Sequence, residues 1–417
     1  MSVLGIIAEF NPLHNGHKHF IQSARQSHDF SATICVMSGN FVQRGEAAMC
    51  NKWMRTRMAL QAGVDLVIEL PFSFAVRSAY FFARGAVQLL YRTGVVSHLA
   101  FGSESGQLEQ LQSIAAMITK ESQEYKNHLK HHLTEGLSFP AARSQTIQEI
   151  MGKQIANLEY TILQPNNILA LEYLRVLEQE SIPIQPFTIP RVGSGYNCME
   201  LSPYASASAI RSSLLQHPSC DDCVGYMPAD ILALLQEEIN AGRAPVSHNS
   251  LGLAILTKLR TMSRSDLSKI YEITEGLEHR IKAAAVSNGT LEELRQAIKS
   301  KRYSLTRINR LLLYSLLDIE TEQMLRFDQH GPLYLHILGF STQGRKILQD
   351  IKNKSTVRLI SRGSEVKSVY LDDTNPIRQA MLGLDLKSTD IYTLLYPSCS
   401  ERQGSLDYTT SPLRLDN

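Results

Sequence analysis

The sequence predicts an α/β fold, a Rossmann-like doubly wound parallel sheet followed by a mainly helical C-terminal domain. Three observations carry this. Short apolar runs alternate with helical spacing through the first hundred residues, which implies parallel strands joined by helices. Each run ends in a polar or glycine-bearing turn: Glu9 to His17, Ser38-Gly39-Asn40 and Gly102-Ser103-Glu104. After residue 250 the apolar residues fall mostly into a helical period.

In chain order, residues 3–8 (Val-Leu-Gly-Ile-Ile-Ala) read as a buried strand, and Phe20-Ile21-x-x-Ala24 has the spacing of the helix that follows. Residues 32–37 are a second strand and 51–62 a helix closed by Gly63. Residues 66–70 are a third strand, stopped by Pro71. Residues 78–93 form a helix ending before Gly94, and 96–101 a fourth strand. With 417 residues and 43% hydrophobic side chains the chain suits two packed domains, expected at 1–215 and 251–417. Residues 216–250 carry Pro218, Pro228, Pro245 and the polar His248-Asn249-Ser250, and read as a linker holding one helix at 229–239. Five helices are expected at 251–259, 264–270, 277–287, 291–300 and 306–317, and a small mixed part with strand-like 334–338 and 357–360 follows them.

Composition excludes several classes. No run reaches the roughly 20 apolar residues of a membrane span, and the chain opens on a core strand instead of a charged-then-apolar leader, so a cytoplasmic protein without membrane contact is expected. The cysteines Cys35, Cys50, Cys198, Cys220, Cys223 and Cys399 are scattered and make no disulfide framework, and Cys220-Asp221-Asp222-Cys223 lacks the second pair of a zinc site. A net charge of +2 leaves no global nucleic-acid footprint, so such a partner must meet a local patch.

The most informative stretch is Glu9 to His19, EFNPLHNGHKH, between the first strand and the first helix. His14 and His17 flank Gly16, so two imidazoles and the amides of a helix N-terminus converge on one anion. A nucleotide phosphate suits this geometry. Cutting ATP between its α- and β-phosphates develops negative charge that must be stabilised, and there is little covalent work for a protein to do. Histidine donates to phosphate even when neutral. No G-x-x-x-x-G-K-[ST] is present, and Gly193-Ser194-Gly195 is too short for a dinucleotide fingerprint, so the phosphate loop is of the histidine type.

This stretch resembles the HIGH-type motif of the nucleotidyltransferase superfamily. That superfamily's second signature, a serine-rich turn before Ile-Arg, is matched by Ser206-Ala207-Ser208-Ala209-Ile210-Arg211. Ser206 or Ser208 suits a helix cap, and Arg211, one turn in, offers a fork of donors to phosphates. In the helical part, Lys299, Lys301, Arg302, Arg307 and Arg310 gather around Tyr303; the charges suit phosphates or a solvated helix face, and the ring suits stacking a base or local packing.

A narrower resemblance spans nearly the whole chain. Ser38-Gly39-Asn40-Phe41-Val42-Gln43-Arg44-Gly45-Glu46, Asp65 to Pro71, Phe101-Gly102-Ser103-Glu104 and Pro165-Asn166-Asn167-Ile168-Leu169 are similar to the bacterial tRNA(Met) cytidine acetate ligase family. So are Glu275-Gly276-Leu277-Glu278, Lys301-Arg302-Tyr303 and Leu338-Gly339-Phe340-Ser341-x-x-Gly344-Arg345. The resemblance implies an ATP-dependent ligase that makes acetyl-adenylate from acetate and passes acetyl to the wobble cytidine of elongator tRNA(Met). It implies ATP with Mg2+ as cofactors, acetate and that tRNA as partners, and no obligate protein partner.

For the site, the resemblance implies His14, His17, Asn11, Ser208 and Arg211 in catalysis. Nucleotide contacts are expected along Ile7, Ala8, Glu9, Phe10, Asn11, Pro12, Leu13, His14, Asn15, Gly16, His17, Lys18, His19 and Phe20. Gly102, Asn167, Arg191, Val192 and Ser206 are expected to add to them. Arg44 and Lys52 are further candidates for closing over ATP or guiding tRNA. No carboxylate pair stands out as a magnesium ligand. The family's Tyr-His-Asp run after the arginine is replaced by Tyr196-Asn197-Cys198, which alters the site if that histidine or aspartate acts there. The alternative reading is a small-molecule nucleotidyltransferase making an adenylated cofactor, for which the helical domain has no use. A third is a tRNA-binding protein that holds ATP only as a structural ligand.

Overall fold

A computed structural model describes residues 2–153, 155, 158–191, 206–274 and 276–416. Its strands are β1 (Val3–Ala8), β2 (Ala32–Ser38), β3 (Phe41–Val42), β4 (Glu46–Ala47), β5 (Leu66–Leu70), β6 (His98–Ser103), β7 (Gln185–Pro190), β8 (Tyr334–Ser341), β9 (Arg358–Ile360) and β10 (Leu413–Leu415). The main sheet runs β7-β6-β1-β2-β5-β8, with β9 and β10 pairing opposite ends of β8. From β7 to β5 all pairings are parallel. β2 and β5 are buried along their whole length, because helices cover both faces and leave no place for alternating polar residues.

The chain runs from β1 outward to β2 and β5, then returns to β6 and β7 on the other side of β1. The order reverses between β1 and β6, and there the loops beyond the strand ends part to leave a crevice. Helices at Leu108–Lys120, Gln123–Thr134, Phe139–Met151, Leu158–Leu163 and Pro165–Gln179, none of them assigned by sequence patterning, fill the crossover from β6 to β7.

The sheet corrects the expected division at residue 250. β8 pairs antiparallel with β5, so the mixed part after residue 330 completes the first unit's sheet instead of belonging to the helical one. An unpaired β5 edge would leave a row of open N–H and C=O groups, and β8 satisfies them. The seam is tied at its end, where Ser341 donates its N–H to the Asp65 carbonyl (2.8 Å) and its hydroxyl to Asp65 Oδ1 (2.8 Å). The helices from Gly252–Thr261 to Leu305–Leu317 pack mainly on one another. The expected linker is also packed: Ile231, Leu234 and Leu235 of its helix share a core with Met54 and Met58.

Candidate active site

Beyond β1 the chain turns into the helix Asn15–Gln26, and His14 is its N-cap. His14 Nδ1 accepts the Gly16 N–H (3.1 Å), and His17 Nδ1 accepts the His14 N–H (3.3 Å). Each ring spends Nδ1 on a backbone donor, so a neutral ring carries its proton on Nε2. The ring centroids lie 3.8 Å apart. Burial, then Arg191 and Arg211, push His14 down to about 3; burial, then His14 and Arg191, hold His17 well below its usual range. At neutral pH both are uncharged donors, and the positive charge at the site comes from arginine.

The turn is held from behind. Asn11 Oδ1 accepts the Met49 N–H (2.8 Å), and Glu9 Oε1 accepts the Gln43 N–H (2.7 Å). Arg55, fully buried, donates to the carbonyls of Glu9 (2.7 Å), Ser38 (3.1 Å), Cys50 (3.0 Å) and Gly39, and so gathers the carboxyl ends of β1 and β2. Sequence reasoning missed Arg55; its one signal is a charge on the buried face of the helix Lys52–Gln61. Burial raises the Glu9 carboxyl, against the Gln43 N–H and the pull of Arg211, Arg44 and Arg55.

The second motif arrives from the far side. Ser206 caps the helix Ala207–Gln216 by accepting the Ala209 N–H (3.2 Å). Arg211 reaches Ser208 Oγ (3.2 Å) through Nη2 and the Asn11 carbonyl (2.7 Å) through Nη1. Both motifs therefore wall one cavity of about 740 Å³, with Gly102 and Arg191 at the ends of β6 and β7.

The helical unit closes the cavity from above. Arg302, Arg307 and Arg310 lie in its wall, as does Arg44 from the turn between β3 and β4. That turn docks on the helix Leu305–Leu317 at Gly45, which has φ +75° and where a Cβ would come within 2.5 Å of the Arg310 nitrogen. Arg307 Nε sits 3.5 Å from Glu272 Oε2.

Several expected residues stand elsewhere. Within Ile7 to Phe20, four residues stay out of the cavity wall: Pro12, Leu13, Asn15 and Lys18. Leu13 is in the core, Asn15 donates to the carbonyls of Gly225 (2.8 Å) and Tyr226 (3.1 Å), and Lys18 lies 3.8 Å from Asp230. Asn167 is completely buried: its Oδ1 accepts the Glu104 N–H (2.9 Å) and its Nδ2 donates to the Thr161 carbonyl (3.0 Å). Its neighbour Asn166 lines the cavity instead and accepts from Arg191 (3.0 Å). Tyr303 is packed in the core with the Arg307 guanidinium 4.8 Å over its ring, so it offers no face to a base. Lys299 and Lys301 are exposed and outside the cavity wall. Val192 and the run Tyr196-Asn197-Cys198 lie outside the described residues.

Lys52 is not a closing residue. Its Nζ is fully buried and donates to Glu69 (2.8 and 2.9 Å) and Asp407. Burial opposes the ammonium, but Asp407 and Glu69 override it and raise its pKa. The same contact decides the metal question. Glu69, His336 and Asp407 bring ligand atoms within 4.8 Å of one another, yet Lys52 already supplies the cation they need. The carboxylates of the cavity wall, Glu9 and Glu272, are engaged by the Gln43 N–H and by Arg307. The described residues thus form no ready cage for magnesium.

A parallel sheet that opens at its switch point onto two side-chain-capped helices, one bearing paired histidines and one a serine–arginine pair, defines a nucleotidyltransferase-type site for a nucleoside triphosphate. The family model described as HIGH Nucleotidyl Transferase matches residues 1–407. The chain belongs to that family and, within it, to the tRNA(Met) cytidine acetate ligases. It is 55% identical to the tRNA(Met) cytidine acetate ligase of Syntrophomonas wolfei over 99% of each chain, and 39% identical to that of Acetivibrio thermocellus over 98% of this chain and 99% of the relative. A structure of Thermotoga maritima TmcAL bound with alpha-thio ATP superposes with a TM-score of 0.92 at 35% identity, covering 100% of both chains.

Proposed function

We propose that this protein is an ATP-dependent acetate ligase that converts the wobble cytidine of elongator tRNA(Met) to 4-acetylcytidine, releasing AMP and pyrophosphate. The observation that carries the reading is the convergence of His14, His17 and Arg211 on one cavity that the arginines of the helical unit also wall. A small-molecule nucleotidyltransferase has no need of that second wall.

In the first step an acetate oxygen attacks the α-phosphorus, and the bond from that phosphorus to the bridging oxygen breaks as pyrophosphate leaves. Acetate is already charged and needs no general base. The Nε2–H groups of His14 and His17 donate to phosphoryl oxygens, and Arg211 supplies fixed positive charge to the departing pyrophosphate. Asn11 and Glu9 keep the turn in place through Met49 and Gln43. In the second step the cytidine N4 attacks the acetyl carbonyl, AMP departs with its bonding pair, and N4 loses a proton to solvent. Magnesium would come with the phosphates of ATP and would add to their charge neutralisation. No described helix is long and apolar enough to cross a membrane.

Incubation with ATP, magnesium, labelled acetate and elongator tRNA(Met) should yield labelled cytidine and AMP. ATP turnover on another acceptor, with the tRNA unlabelled, would sink the proposal.

A further inference from the structure

An amine on a polynucleotide base reaches a buried cavity only if its base leaves the stack, and a displaced base needs a new face to lie against. Tyr303, the aromatic of the basic stretch, is packed in the core. Of the other phenylalanine and tyrosine rings of the cavity wall, Phe10, Phe82, Phe101 and Tyr173 are each 5% exposed or less and Phe20 is half-buried. Phe139 is different: it lines the same cavity and is 53% exposed.

We propose that Phe139 is the stacking platform for the acceptor cytidine, holding the base in the cavity that Arg302 and Arg307 also wall. This rests on the acetyl-transfer reading. Phe139 is the first residue of the helix Phe139–Met151, whose N-cap Ser138 makes no side-chain capping bond. Arg302 and Arg307 wall the same cavity, so the phosphate of a nucleotide whose base lies on Phe139 has guanidinium groups to meet there. A phenylalanine kept this exposed gains little for the fold, and its ring accepts a base face without the hydrogen bonds that pairing needs. The helix comes from the crossover between β6 and β7, so both units would grip the acceptor.

Two half-reactions separate the outcomes. Acetate-dependent exchange of labelled pyrophosphate into ATP reports adenylate formation without tRNA, and acetyl transfer to tRNA reports the acceptor. Phe139→Ala should lower kcat/KM for tRNA by about tenfold or more, the scale of one lost base–aromatic stack, with exchange changed by less than about twofold. Phe139→Trp should restore transfer, and Phe139→Leu, which keeps apolar area and loses the π face, should not. If Phe139→Ala raises KM for ATP in exchange, the ring serves adenine and the proposal is overturned; equal transfer by Ala, Leu and wild type overturns it too. Failure of the underlying reading is told apart because wild type would then lack acetate-dependent exchange or acetyl transfer to tRNA before any substitution is made.

Discussion

Arg211 donates through Nη1 to the main-chain oxygen of Asn11 at 2.7 Å, across 200 residues of sequence. This bond joins the two phosphate-facing motifs directly, so the arginine both carries charge and sets the distance between the helices that bear His14 and Ser208. Arg211→Ala should therefore lower kcat for acetate-dependent ATP–pyrophosphate exchange by roughly 10²-fold or more. Arg211→Lys keeps the charge but cannot reach Asn11 and Ser208 with one planar fork, and should fall between Ala and wild type. Stopped-time exchange assays at saturating ATP check this.

His17, proposed as a neutral donor to phosphate, has its Nδ1 tied to the His14 N–H. A side chain that accepts with one atom and donates with another should substitute in part. His17→Ala is expected to abolish adenylate formation with tRNA binding nearly intact, and His17→Gln to retain more exchange activity than His17→Ala. If only a charged imidazole works, Gln and Ala will be equally dead.

Arg302 lies in the cavity wall and Lys301 beside it does not. Arg302→Glu should lower kcat/KM for tRNA by about tenfold or more, and Lys301→Glu by no more than about threefold in the same transfer assay at 0.15 M salt. Equal losses would mean that net charge over the surface matters and the cavity wall does not.

Acid should loosen the fold through its neutral histidines. His248 accepts the Ala47 N–H (3.2 Å), and burial, then Arg295, push it down to about 4; His14 is down to about 3. A histidine lowered in the folded state binds fewer protons there than when unfolded. Its stabilising share is full above the unfolded value near 6.5 and is lost as pH falls toward the folded value, at about 1.4 kcal/mol per unit of pKa difference. The melting temperature should fall from pH 7 to pH 4.5, and His248→Asn should flatten that decline. A wild-type curve level over this range would contradict the assignment.

Much of this protein could be read from residue order. The alternation of apolar runs and helices located β1, β2, β5 and β6 to within two residues at their ends, because a strand covered on both faces must be apolar throughout and must stop at a turn. His14, Gly16 and His17 were legible because helix entry, spacing and chemistry are all local. Ser206 and Arg211 were legible for the same reason, as a cap and a residue one turn later.

Other assignments failed where the deciding contact is distant in sequence. Lys52, beside a glycine turn, is a sequence candidate for closing over ATP or guiding tRNA, but Asp407, 355 residues away, supplies a carboxylate that lets it be buried. Tyr303 looked like a stacking ring, yet its position in the helical unit packs it in the core. Asn167 looked like a ligand contact, and Glu104 and Thr161 use both ends of its amide.

By itself the sequence determined the class of sheet, the helix entry that brings His14 and His17 together and the serine-capped helix start before Arg211, since each depends on neighbours within a few residues. Only the tertiary structure decided that β8 completes the sheet, that Arg55 gathers the strand ends, and that Arg302, Arg307 and Arg310 share a cavity with His14. Those outcomes depend on which unpaired edges, carbonyls and charges meet after folding, and burial then fixes what each group can do.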